Sequence, residues 1–339
     1  MANFISEDDI EKRAIKLLLE QLEYDEFLNC YTRDEKDLND GSNRASKEEV
    51  VFTDRVRRSL KKFNQVPDEA IEQAIRELVK GRSGMSPMLA NKQVYELIKE
   101  GFTATILNKD GREEPRKIKF IDFKNPNANE FLVVSQLWIQ GIPKYRRPDL
   151  ILYINGIPFV FIELKNSNVE VKNAFDDNLK TYYKEIPQLF VYNAVNILSN
   201  AIETKVGAFK ADYEHYFEWL REDDEKKDVD RKRIKEFQVS LEFALRGLCA
   251  KDKLIDYIEN FILYHVKGAY KIIAKNHQFI GVNKAVDGFK DRESKEGKLG
   301  VFWHTQGSGK SFSMVMYCKK IQRKFEGDFT FFIVTDREN

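Results

Sequence analysis

Apolar residues at Ile10, Ala14, Leu17, Leu18 and Leu22 recur at helical spacing behind Ser6 and an acidic first turn, which predicts an amphipathic helix. A second helix is expected from near Pro67 through Ile71, Ile75 and Leu78. Between Phe102 and Ile142 the rhythm changes to strand-like runs, Phe102 to Leu107, Lys117 to Phe123 and Asn129 to Ile139. Asp110-Gly111 and Asn125-Pro126-Asn127 separate them. Two apolar runs follow, Asp149 to Ile154 and Ile157 to Leu164, joined by Asn155-Gly156, a strong hairpin signal. Neither run alternates cleanly with polar residues, so both faces of this hairpin are expected to be covered.

A helix is expected from about Val169 to Tyr183 and a strand from Gln188 to Leu198. In Arg221 to Arg233 only Val229 is uncharged, the pattern of a solvated helix face or linker, and a domain boundary is placed near it. Leu254 to Val266 and Ala269 to Val286 read as helical. Gly300 opens a strand, loop, helix and strand series, with strands at Val301-Phe302-Trp303 and Thr330 to Val334.

Composition narrows the class. The 339 residues are 42% hydrophobic and 33% charged, which excludes disordered, collagenous and disulfide-scaffold chains. A net charge of +1 means that any contact with nucleic acid must come from local patches. The cysteines Cys30, Cys249 and Cys318 share no metal-ligand spacing and suit a reducing compartment. The first residues lack the apolar run of a signal peptide, and no stretch approaches the roughly 20 apolar residues that span a bilayer. A soluble, cytoplasmic protein without membrane contact is expected.

The clearest chemistry lies at His304-Thr305-Gln306-Gly307-Ser308-Gly309-Lys310-Ser311, between a strand candidate and the apolar-periodic stretch Phe312 to Ile321. This is the context of a P-loop, with His304 in place of its first glycine. Gly307 and Gly309 let backbone N–H groups around Ser308 turn toward a phosphate. Lys310 brings a point charge to the β- and γ-phosphates, and Ser311 offers a hydroxyl to Mg²⁺, so ATP is the expected ligand. The acidic motif that completes such a motor lies C-terminal to the P-loop, and none is found before Asn339. The sequence therefore looks like the front portion of a larger ATPase.

A second constellation ends the two hairpin runs. Pro148-Asp149 begins the first strand and Glu163-Leu164-Lys165 ends the second, with Glu163 and Lys165 on one face. With Asp149 across the hairpin, the carboxylates could hold Mg²⁺ beside an ammonium. The alternative is a salt-bridged strand end. Glu-x-Lys spacing carries nothing by itself, since Glu225-Lys226-Lys227, Glu293-Ser294-Lys295 and Glu296-Gly297-Lys298 share it in polar surroundings. Only Glu163-Lys165 closes a run as apolar as Ile157 to Ile162.

The stretches Phe131-Leu132-Val133-Val134-Ser135-Gln136-Leu137, Tyr145-Arg146-Arg147-Pro148-Asp149 and Phe161-Ile162-Glu163-Leu164-Lys165-Asn166 resemble the PD-(D/E)xK nuclease domain of type I restriction enzyme R subunits. His277-Gln278-Phe279, the P-loop and Val334-Thr335-Asp336-Arg337 are similar to the opening of that subunit's superfamily 2 motor. The resemblance implies an α/β protein: a nuclease domain over residues 1–215, a charged helical linker over 216–255 and an incomplete first RecA-like lobe over 256–339. It implies that Asp149 and Glu163 bind the catalytic metal, that Lys165 completes the triad and that Gln278 reads adenine. A Gln-x-x-x-Tyr pair common in such nucleases becomes Asn178 and Tyr182 here. The implied activity is Mg²⁺-dependent cleavage of double-stranded DNA coupled to ATP-driven translocation, in a complex with methyltransferase (M) and specificity (S) subunits.

Rival readings are a helicase-nuclease of DNA repair, disfavoured by motif order, and a catalytically silent DNA-binding or assembly module. Glu11 could reach the same metal, but a solvated helix-start acid is the simpler expectation. Lys144, Arg146 and Arg147 suit a DNA backbone, whereas Lys319, Lys320, Arg323 and Lys324 read as a solvated helix end. The triad also sets a condition on the hairpin. A plain two-residue turn puts Asp149 opposite Ile162 and away from Glu163. A shared metal then requires a three-residue loop, a bulge, or an Asp149 lying before the regular strand.

Overall fold

The structure is a computed structural model that describes residues 4–107, 110–223, 229–265 and 270–334. Its residues group into two compact units, the first reaching Ile273 and the second holding the residues from Ala274 onward.

The first unit opens with α1 (Glu7–Glu20), where the Ser6 hydroxyl accepts from the Asp9 N–H and Ile10, Ala14, Leu17 and Leu18 are buried, as the apolar spacing dictates. There follow β1 (Glu26–Asn29), α2 (Thr53–Phe63), α3 (Asp68–Val79) and α4 (Pro87–Glu100), then the antiparallel pair β2 (Phe102–Leu107) and β3 (Glu113–Ile118). Next come β4 (Phe131–Ser135), the short pair β5 (Ile139–Gln140) and β6 (Tyr145–Arg146), and the hairpin β7 (Leu150–Ile154) and β8 (Ile157–Leu164). A broken helix follows: α5 (Val171–Asn173), a π-helical stretch over Ala174–Leu179 and α6 (Lys180–Glu185). The unit continues through α7 (Pro187–Phe190), β9 (Val195–Ser199), β10 (Thr204–Gly207), β11 (Phe217–Glu218), α8 (Arg231–Phe237), α9 (Ser240–Ala244) and α10 (Lys251–Asn260). The pair β12 (Ile262–Tyr264) and β13 (Lys271–Ile273) completes it.

A seven-stranded mixed sheet in the order β1-β4-β7-β8-β9-β10-β11 forms the centre. Every residue of β4, β7, β8 and β9 is buried, which explains the unbroken apolar runs of the hairpin. Asn155 and Gly156 both adopt positive φ, so the turn is the tight two-residue kind. A Cβ at Gly156 would stand 2.6 Å from the Phe52 carbonyl, which leaves glycine as the fitting residue. Asn155 is buried and tied down: its side chain accepts from the Glu130 N–H and donates to Phe120 O and Asn129 Oδ1.

The second unit contains α11 (Asn276–Lys290) and α12 (Lys310–Lys324) packed on each other. The strands expected at Val301 to Trp303 and Thr330 to Val334 are not formed among the described residues, although α12 starts where the glycine loop ends. A strand satisfies its N–H and C=O groups only through a neighbour. No strand pair involves this unit's described residues, and Val301 and Val334 stay 94% and 92% exposed.

Several boundaries also move. Lys117 to Phe123 leaves the ladder after Ile118. Gln188 to Leu198 divides into α7 and β9, and Leu254 to Val266 ends as a helix at Asn260 before turning into β12. The helix expected from Ala269 instead starts at Asn276, after β13. Asp224 to Asp228 within the charged run, and Thr335 to Arg337, lie outside the described residues. Trp219, Leu245 and Leu248, all within the segment 216–255, are fully buried in the first unit.

Candidate active site

The hairpin turn is the two-residue kind, yet it does not separate the carboxylates. Near the turn Ile154 pairs with Ile157 and Tyr153 with Pro158, but Leu152 pairs with Val160, so Phe159 is an extra residue on β8. This β-bulge advances the register: Leu150 lies opposite Ile162, and one step further Asp149 comes opposite Glu163. The condition set by the sequence is therefore met by its bulge alternative. The Asp149 carboxylate accepts from the Leu164 N–H at 2.7 Å, fixing it against the end of β8.

Glu163 is 2% exposed, and its Oε2 has no hydrogen-bond partner. The Lys165 Nζ lies 3.8 Å from Glu163 Oε1. Burial, reinforced by the neighbouring Asp149 charge, pushes the Glu163 carboxyl well above the usual carboxylate range. Burial also raises Asp149 to about 6, against the opposing pull of the Leu164 N–H and Lys165.

Two further residues join this cluster. Glu11 on α1 is not a solvated acid. Burial lifts its carboxyl to about 7, opposed by a hydrogen bond from Gln136 and helped by the Asp149 charge. Gln136 follows β4 at φ 56°, donates from its main-chain N–H to Asp149 O, and donates from its amide to Glu11 Oε2 at 2.6 Å. The available signal was position: Gln136, Asp149 and Glu163 are each a polar residue at the end of a buried apolar strand.

Asn178 lies in the π-helical stretch and Tyr182 follows it on α6. Tyr182 lies edge-on to Phe161, its ring centroid 5.8 Å away, and its hydroxyl donates to Arg147 O at 3.4 Å. Burial, with Glu163 nearby, raises the phenol. Of the basic residues before Asp149, Arg146 is ion-paired with Glu185, and Lys144 is exposed.

In the second unit Gly307 and Gly309 adopt the positive φ that the loop needs, 78° and 84°. Lys310 curls back so that its Nζ donates to His304 O at 2.8 Å, while Ser311 is exposed and Ser308 half-buried. Gln278 is 3% exposed, so it is no surface residue. Its amide donates to Gly309 O at 2.9 Å and accepts from the Lys275 N–H. Lys319, Arg323 and Lys324 are exposed, whereas Lys320 is buried.

Among the described residues no three His, Cys, Asp or Glu side chains form a cluster set to hold a metal ion. Mg²⁺ does not require one, because it commonly takes one or two carboxylates and fills the remaining positions with water and phosphate oxygens. The orphaned, buried Oε2 of Glu163 fits such a cation.

Residues 4–215 match the family model of the type I restriction enzyme R protein N terminus. The chain belongs to the type I restriction enzyme R protein family. Residues 277–339 match the SWI2/SNF2 ATPase family, so the R protein fold here is a PD-(D/E)xK-like nuclease domain followed by the start of a superfamily 2 motor domain. Among curated proteins it is similar to the type I restriction enzyme HindI endonuclease subunit of Haemophilus influenzae, 34% identical over 301 residues, covering 86% of this chain and 28% of that protein. The putative type I restriction enzyme MjaIXP endonuclease subunit of Methanocaldococcus jannaschii is 32% identical over 315 residues, 87% of this chain and 30% of that protein. The SauMSSORF170P endonuclease subunit of Staphylococcus aureus is 27% identical over 231 residues, 67% of this chain and 23% of that protein. The chain thus spans less than a third of the length of these relatives. Membership implies use of ATP and Mg²⁺. No helix among the described residues is long and apolar enough to cross a membrane.

Proposed function

We propose that this chain supplies the DNA-cleaving centre of a type I restriction endonuclease and the phosphate loop of its ATP-driven translocase. The observation that carries the reading is Glu163, a buried carboxylate with an unpartnered oxygen, brought level with Asp149 by the β-bulge at Phe159.

Asp149 and Glu163 would hold Mg²⁺, which when bound would supply Lewis-acid polarisation of the scissile phosphodiester. Lys165 places its ammonium beside Glu163, where it stabilises negative charge developing on the phosphorus oxygens. Gln136 holds Glu11 through its amide and the Asp149 main chain through its own N–H, and Glu11 is the third acid available to the cation or its water shell. Asn178 and Tyr182 back the site from the adjoining helix, with Tyr182 anchoring the main chain at Arg147.

In the motor portion, Gly307, Ser308 and Gly309 direct backbone N–H groups to the phosphates of ATP, and Ser311 is the hydroxyl for its Mg²⁺. Lys310 exchanges its contact with His304 O for the β- and γ-phosphates. Gln278 holds the loop through Gly309 O, so reading adenine requires its amide to change partners. Double-stranded DNA is the substrate, and methyltransferase and specificity subunits are the partners.

The test is an asymmetry in the assembled enzyme. Asp149→Ala, Glu163→Ala and Lys165→Ala should each lower DNA cleavage by at least about a hundredfold and leave DNA-stimulated ATP hydrolysis intact. Lys310→Ala should abolish ATP hydrolysis and, with it, cleavage. Wild-type cleavage by Glu163→Ala, or loss of ATP hydrolysis in all three nuclease variants, would overturn the reading.

A further inference from the structure

Three basic side chains precede Asp149, and they are not equivalent. Arg146 is ion-paired with Glu185, so its charge is already neutralised. Lys144 is exposed at the turn where its carbonyl accepts from the Gly141 N–H. Arg147 is different again: its guanidinium carbon lies 5.0 Å from the centroid of the Tyr31 ring and 4.9 Å from that of Trp138. Among the described residues no carboxylate lies within ion-pair distance of it.

The Trp138 ring and the main chain at Tyr31 and Arg147 are tied in place by hydrogen bonds. The Trp138 indole N–H donates to Thr32 O at 3.0 Å, and the Tyr31 N–H donates to Asn29 Oδ1 at 3.0 Å. The Tyr182 hydroxyl holds the carbonyl of Arg147 itself. Tyr31 remains 56% exposed, so its ring supports the cation at the surface and does not fill the core. A guanidinium is weakly hydrated and stacks well on aromatic faces, while its in-plane N–H groups form a fork matched to two oxygens of one phosphate. The position completes the picture, because Arg147 is two residues from Asp149 and its charge lowers the Glu11 carboxyl. In a chain of net charge +1, one unneutralised cation at the site is worth more than the bulk charge.

We infer that Arg147, seated on Tyr31 and Trp138, is a preset clamp for a backbone phosphate of the DNA strand entering the Asp149–Glu163 site. The inference rests on the nuclease reading above. The two rings hold the side chain in its binding geometry before DNA arrives, so little rotamer freedom is lost on contact.

The experiment is fluorescence anisotropy of a labelled duplex of about 20 base pairs with the chain in Ca²⁺ buffer, repeated over a salt series. Arg147→Ala and Arg147→Gln should each weaken binding about tenfold and reduce the slope of log affinity against log salt by about one. Arg147→Lys should keep the slope and recover part of the affinity, since the charge remains but the planar fork is lost. Tyr31→Leu should weaken binding severalfold with the slope unchanged. A wild-type slope in both uncharged variants, whatever their melting temperatures, would overturn the clamp alone. A wild-type chain that binds no duplex would overturn the nuclease reading and the clamp together.

Discussion

The carboxylate cluster and the phosphate loop carry similar amounts of sequence information but very different amounts of structure. Glu163 is paired with Leu198 in the buried sheet, and Asp149 and Gln136, one residue beyond their strands, are joined to each other by the Gln136 N–H and the Asp149 carbonyl. Around the phosphate loop, α11 and α12 are formed and Gln278 pins Gly309, but Val301, Trp303, Phe332 and Val334 are largely exposed and unpaired in any sheet. The difference separates two kinds of motif. A helix start with glycines at positive φ can be formed from local interactions. A strand that aims a catalytic side chain requires neighbours on both sides.

The largest effect expected from this contrast is on stability. Ile162→Ala and Leu152→Ala remove side chains that are 0% exposed and should each cost about 2–5 kcal/mol. Val301→Ala and Val334→Ala, at 94% and 92% exposure, should stay within about 0.5 kcal/mol. Chemical denaturation followed by circular dichroism would measure both pairs. Equal losses in the two would show that the residues after Gly300 are packed in solution, and the contrast would dissolve.

A smaller effect concerns pH, and only the carboxylate cluster should show it. Asp149 is raised from 3.8 to about 6 and Glu11 from 4.5 to about 7. Carboxyls raised on folding bind protons more tightly in the native state. Their contribution to stability is therefore complete below about pH 4 and is lost as pH rises through 6 to 7. In metal-free buffer the first unit should become less stable across that window, and Asp149→Asn or Glu11→Gln should flatten the decline. Added Mg²⁺ should raise the melting temperature more at pH 8 than at pH 5, because the ionised carboxylates are its ligands. A profile unchanged by both substitutions would remove Asp149 and Glu11 from the titrating cluster.

The smallest effect is that of Tyr182→Phe, which deletes one long hydrogen bond to Arg147 O and keeps the ring against Phe161. A loss of about 0.5–1.5 kcal/mol in the same denaturation measurement is expected. A larger loss would mean that the hydroxyl does more for the nuclease fold than hold one carbonyl.

What the sequence made legible follows the same division. The buried hairpin was readable because its two runs fail to alternate, and the grouping of Asp149, Glu163 and Lys165 because charges seldom end such runs. The bulge at Phe159 entered the sequence reading only as a requirement, although Pro158 beside it is a signal for one, because a proline inside a central strand is tolerated at bulges. Glu11 and Gln136 were obscured by distance, 125 positions apart and joined by one hydrogen bond that depends on tertiary folding. The π-helical stretch over Ala174–Leu179 left no trace in the apolar spacing. The strands expected after Gly300 show the opposite error. Apolar runs there suggested strands, but pairing is decided by neighbours and not by the run itself.

The bulge makes the number of residues between Asp149 and Glu163 an odd-even code. With the two-residue turn kept, an odd number of residues, Leu150 to Ile162, separates the carboxylates, which a plain ladder cannot bring level; the one unpaired residue at Phe159 absorbs the remainder and places both on one side of the sheet. Deleting Phe159 would remove the bulge and leave the carboxylates level, and lengthening both strands equally preserves the match, whereas one apolar residue inserted on β8 after Phe161, with the bulge kept, moves Glu163 one step along and onto the other face. Fold and chemistry can therefore part company here through a change of one residue that the core would scarcely register.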